Sequence, residues 1–132
     1  MEEVLEKIKN FHGHLGPYVV IGYRMGVLAN KHLGNDPFEK TAEVWTKNCP
    51  PMSCVLDGVQ MGSGCTLGKR NITIKNSDIP KALFSNKNGK KIEIKLKTKV
   101  NEEIEKTVTK ENLTSFSIDV FNRSDDELFE II

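Results

Sequence analysis

What this sequence has least of is an excess of either charge: 19 Lys and Arg stand against 18 Asp and Glu in 132 residues, a formal net charge of +1. A balance so even exerts no general pull toward nucleic acid or an anionic membrane surface. No apolar run is long enough to span a bilayer and no leader pattern is visible, so a cytoplasmic chain without a membrane partner is expected. Cysteine is scarce as well, with thiols only at 49, 54 and 65. Without a leader, these thiols are expected to meet a reducing compartment, where they bind metal or react more often than they pair. The sequons at Asn71, Asn112 and Asn122 then carry no glycan. Repeats, linkers and low-complexity segments are also missing, and 38% hydrophobic content suffices for one core. A single domain spanning 1–132 is expected.

Two nucleotide motifs are nearly present and fail on spacing. A phosphate-binding loop needs four residues between its first glycine and the Gly-Lys pair, then Ser or Thr, whereas Gly64 to Gly68-Lys69 leaves three and Arg70 follows. Gly62, Gly64 and Gly68 miss the dinucleotide spacing too. The lysines between Lys87 and Lys99 mostly alternate along an expected strand, which makes them a solvated sheet face and no nucleic-acid patch.

The remaining pattern reads as two N-terminal helices followed by strands. Val4, Leu5, Ile8 and Phe11 recur at helical spacing, and HGHLGP stops that helix at a bend carrying His12 and His14. Pro17 opens a second helix that Gly34 ends; it is apolar nearly all round and hence buried, with Gly22 and Gly26 one turn apart where another element can approach. Lys40–Asn48 alternates as a half-buried strand, and Pro50 and Pro51 then impose an extended crossing. Ile72 and Ile74 mark a short strand. Residues 82–85 and 91–97 flank Asn88-Gly89, the strongest hairpin signal. A helix around 102–109, a strand around 115–121 and a capped turn at 124–127 precede the apolar end. The sum is an α+β domain, two N-terminal helices packed on a mostly antiparallel sheet with short additional helices.

The densest chemistry lies between Cys54 and Asn71, reading CVLDGVQMGSGCTLGKRN. Ser53 is expected to cap a short helix, placing Cys54 in its first turn and Asp57 on the same face one turn later. A thiol at the positive end of a helix dipole ionises more easily, which suits a ligand or a nucleophile. Cys65 falls in a glycine-rich loop. Plainer roles compete: free cysteines are often small buried hydrophobes, His12 and His14 can cap the first helix, and His12 is the stronger candidate for capping alone. Cys49 reads as structural, His32 as a partner of its own helix terminus, and Trp45 and Met61 as packing.

Together FHGHLGP and CVLDGVQMGSGCTLGKRN resemble the FmdE family, named for one of the subunits of molybdenum or tungsten formylmethanofuran dehydrogenase. Phe11, His12, Gly13, His14, Leu15 and Pro17 match its first phrase, FHGHLCPG. Cys54, Asp57, Gln60, Gly64, Cys65, Thr66, Gly68, Lys69 and Asn71 match the second, CxxDxxQxxxGCTxGKxN. The resemblance extends to the DELFEII ending. It implies an α+β core, a homodimer, and a groove lined by these residues that holds a divalent metal, zinc foremost. His14, Cys54 and Cys65 form the expected ligand set, with an open position for water or substrate. Asp57 is the expected orienting group or base, and Gln60, Thr66 and Lys69 are candidates to hold the bound group; Lys69 and Arg70 would draw a small anion. Gly16 stands where the family pattern has cysteine, and with no cysteine after Cys65 the C-terminal zinc finger of some members is not expected here. The expected function is a small metal-binding accessory protein of one-carbon metabolism and methanogenesis, acting with formylmethanofuran dehydrogenase subunits. The alternative is an independent zinc- or thiol-dependent enzyme in which Cys54 or metal-bound hydroxide, with Asp57 as base, attacks a small anionic substrate.

Overall fold

A computed structural model describes residues 1–132. Helix α1 (Glu3–His12) buries Leu5 and Ile8, one turn-spaced stripe, and ends at Gly13, whose φ of +105° is the left-handed conformation that closes the last turn. Helix α2 (Pro17–Leu33) starts on its proline and stops at Gly34 as the sequence indicates, and it is buried on most of its surface. A 3-10 turn (Pro37–Glu39) leads into β1 (Lys40–Thr46). A second 3-10 turn (Met52–Cys54) leads into α3 (Val55–Ser63). Then follow β2 (Ile72–Asn76), β3 (Lys81–Asn86), β4 (Lys91–Leu96), α4 (Thr98–Thr107), α5 (Leu113–Asn122), α6 (Asp125–Leu128) and β5 (Phe129–Ile131).

The five strands form one sheet in the order β2-β1-β3-β4-β5. Only β1 and β2 run parallel; β1–β3, β3–β4 and β4–β5 are antiparallel. Alternation puts Ala42, Val44, Phe84, Ile92, Ile94 and Leu96 on the face covered by helices. The opposite face carries lysines and Trp45, whose ring lies 5.1 Å from Lys75 Nζ and 4.4 Å from Lys81 Nζ. The expected hairpin forms, with Gly89 at φ +84°.

Helices α2 and α3 meet through four glycines, and the contacts advance together along both. A Cβ on Gly22 would fall 2.0 Å from Val55 O, on Gly26 2.4 Å from Ser63 N, on Gly58 2.0 Å from Val19 O, and on Gly62 2.3 Å from Tyr23 O. No side chain fits between these backbones, so the glycines set how closely α3 lies on α2 and thereby fix every functional group that α3 carries.

Three expectations change. Residues 115–121 are helical: α5 packs on α2 through Phe116, Ser117 and Val120, and Ser117 Oγ donates to Leu113 O at 2.7 Å. The helix placed at 102–109 begins earlier, at Thr98. The Cys49–Pro51 segment turns where an extended crossing was expected, with Ser53 N donating to Cys49 O at 3.2 Å. Lys40 opens β1 as the pattern indicates; it is 2% exposed, and its ammonium donates to Gly34 O at 2.9 Å.

Candidate functional site

The last residue of α1 and the first turn of α3 are joined by a side-chain contact. His12 Nδ1 donates to Asp57 Oδ2 at 2.6 Å, across 45 residues of sequence. His12 is 9% exposed and Asp57 39%. The bond is charge-assisted, and it leaves Nε2 as the ring's free nitrogen. The His14 ring lies against it, centroids 4.9 Å apart. Helical capping, the plain role given to His12, belongs instead to the Gly13 amide, which donates to Lys9 O at 2.8 Å.

Beside this pair opens a cavity of about 350 Å³. His12, His14, Cys49, Cys54, Lys47 and Glu105 are the polar and sulfur-bearing groups that line it. Met52, Ile104, Val108 and Leu113 supply apolar wall. An adjoining cleft of about 280 Å³ shares His12 and Cys54 and adds Asp57, Gln60, Leu67 and Ile74. The first is within the usual size range of small-molecule sites, apolar walls with a few placed polar groups. Cys49, read as structural, is exposed and faces this cavity.

The surroundings of Cys54 differ from those expected at the positive end of a capped helix. Ser53 makes no cap hydrogen bond, and Cys54 itself occupies the position before α3. Burial, then the nearby Asp57 carboxylate, push its thiol above the ordinary cysteine range, outweighing its own backbone hydrogen bond. Tyr18 is raised further, by burial first and the Glu105 charge second. Its hydroxyl donates to Asn101 Oδ1 at 2.6 Å, and Asn101 Nδ2 reaches Glu105 Oε1 at 3.4 Å.

The expected metal set does not assemble. Cys65 follows α3, whose nine residues put about 14 Å of helix between it and Cys54 at roughly 1.5 Å per residue, against metal–sulfur bonds of about 2.3 Å. It is fully buried, its amide donating to Ser63 Oγ at 3.0 Å, and burial above all raises its thiol. No three His, Cys, Asp or Glu side chains converge to hold an ion. Gly16 lies on the cavity wall, where a Cβ would come within 3.4 Å of His14 Nε2, so the family's cysteine would add its sulfur beside that imidazole.

The other motif residues shape the loop after α3. Gln60 Oε1 accepts from Leu67 N at 2.9 Å, and Thr66 Oγ1 from Lys69 N at 3.2 Å. Asn71 accepts from Thr66 N and donates to Pro37 O and Lys40 O. Lys69 lies over the Phe38 ring, and neither it nor Arg70 lines either cavity.

A family model described as "FmdE, Molybdenum formylmethanofuran dehydrogenase operon" matches residues 11–130. The chain belongs to the FmdE family. The phrases at 11–17 and 54–71 both lie within the matched residues, and in this FmdE protein they meet at His12–Asp57. A "Probable S-adenosyl-L-methionine-binding protein" of Archaeoglobus fulgidus is 36% identical over 74 residues, 54% of this chain. The chain spans about a fifth of the length of that curated relative. No helix of this FmdE domain is long and apolar enough to cross a membrane.

Proposed function

We propose that this chain is a small-molecule-binding accessory protein of the formylmethanofuran dehydrogenase system, holding a small organic ligand in the cavity beside His12. The observation that carries the binding reading is the 2.6 Å His12–Asp57 contact, which fixes an imidazole on the wall of a 350 Å³ cavity where a ligand would lie. Asp57 acts here by orienting His12, with Cys54 as a protonated, polarizable contact. The tie to the dehydrogenase rests on family membership. The donor positions give no support to a His14–Cys54–Cys65 zinc centre, so no role is assigned to a metal. The thiol-enzyme alternative is the weaker reading, because a nucleophile must ionise and the surroundings of Cys54 oppose that.

The test is affinity isolation of the tagged chain from cells expressing the molybdenum formylmethanofuran dehydrogenase, followed by denaturation and mass analysis of released small molecules. Dehydrogenase activity co-isolating with the chain, and a stoichiometric low-mass compound lost in Asp57→Asn, are expected. A chain that emerges without either overturns the reading. S-adenosyl-L-methionine, named for the archaeal relative, belongs among the candidate ligands in that analysis.

A further inference from the structure

We infer that the cavity selects a cationic organic ligand, one with an apolar or aromatic body and an ammonium-type group set toward Glu105. The inference rests on the ligand-binding reading above and specifies the chemistry of the ligand. It also reverses the expectation of an anion, because the cations on which that expectation depended, Lys69 and Arg70, lie outside both cavities.

Glu105 is held from behind. Asn101 is 4% exposed; it takes the Tyr18 proton on Oδ1 and turns its Nδ2 toward the Glu105 carboxylate. Tyr18 and Asn101 thus keep that carboxylate on the wall, backed by a buried side-chain chain. Its partner in front is different in kind. Lys47 approaches only to 3.8 Å, and both groups are close to half exposed. A pair of this sort is worth little, and a ligand ammonium can displace it. The second carboxylate, Asp57, lines the adjoining cleft and touches this cavity's wall through His12. The negative potential of both is felt inside: Glu105 raises Tyr18 and Asp57 raises Cys54, each after burial. Met52, Ile104, Val108 and Leu113 line the same cavity and suit an uncharged body.

Three soluble probes of one length separate the alternatives: 3-phenylpropylammonium, 3-phenylpropanol and 3-phenylpropanoate. Each is titrated into the full chain and into Glu105→Gln by amide NMR at about pH 8, where imidazole ordinarily carries no charge. The ammonium is expected to bind most tightly and the carboxylate least, with shifts at Met52, Ile104 and Val108. Glu105→Gln is expected to weaken the ammonium about fivefold, the factor for about 1 kcal/mol between unit charges at roughly 4 Å in water, and to leave the alcohol unchanged. If the alcohol binds there but the carboxylate equals or exceeds the ammonium, or Glu105→Gln leaves the ammonium's advantage intact, the charge inference is wrong while the ligand site stands. If no probe moves these residues, both are wrong.

Discussion

Gly58→Ala asks whether the glycine crossing positions the site. The added Cβ would sit 2.0 Å from Val19 O and 2.5 Å from Tyr23 N, both backbone atoms that cannot rotate aside. A normal contact needs about 3.4 Å or more, so α3 must lift from α2 by more than an ångström, opening the densely packed layer beneath. Alanine favours an isolated helix by about 1 kcal/mol over glycine, while overpacking costs roughly 1–3 kcal/mol and more where backbone must move. The second effect wins here. Urea denaturation should show a net loss of about 2–4 kcal/mol, or at least 30-fold in the folding constant, a large part of a typical domain's stability. Gly68→Ala serves as control, its nearest neighbour being Thr66 Oγ1 at 3.9 Å, and should change stability by less than about 0.5 kcal/mol. If Gly58→Ala is as stable as the parent, or gains the propensity term, the close crossing is not what fixes α3.

Alkylation by iodoacetamide near neutral pH should label exposed Cys49 well before Cys54, and Asp57→Asn should move the Cys54 pH–rate profile to lower pH by removing one cause of its raised thiol; faster labelling of Cys54 than Cys49 would contradict the assigned environment. Cys65→Ser should leave any zinc content of the purified protein unchanged by metal analysis, since Cys65 lies a helix length from the other thiols. The Arg123 guanidinium, bonded to both Glu103 oxygens at 2.8 and 2.9 Å, holds that carboxyl below the usual range. A lowered carboxyl pKa stabilises the fold above the unfolded value and loses that contribution as pH falls through the folded one. Acid titration should therefore show Glu103→Gln flattening the decline in stability below about pH 4.

The parts of the fold that were legible are those where local chemistry and burial agree. Helix α2 begins on Pro17 and ends before Gly34, and the Asn88-Gly89 turn joins two alternating runs. Residues 115–121 misled because Phe116, Ile118 and Val120 alternate with Ser115, Ser117 and Asp119, a period of two that is equally compatible with a helix packed through Phe116 and Val120. Gly22 and Gly26 announced a close approach, but nothing in the sequence named Gly58 and Gly62 as its other half. That gap explains the site. With the crossing unknown, Cys65 could be imagined beside His14, whereas the parallel advance of α2 and α3 carries it to the far end. The same crossing brings Asp57 to His12, a partnership that spacing along the chain could not reveal. Glu105 and Lys47 belong to no motif, and only the fold places them at the cavity.

Most direct of all is a double-mutant cycle on His12→Ala and Asp57→Ala, read as folding free energy at neutral pH. Hydrogen bonds to charged groups contribute about 1.5–3 kcal/mol, less where one partner is part exposed as Asp57 is, so a coupling of about 1 kcal/mol is expected. Strictly additive effects of the two substitutions would mean that the end of α1 and the start of α3 do not meet, and the site built on their meeting would not exist.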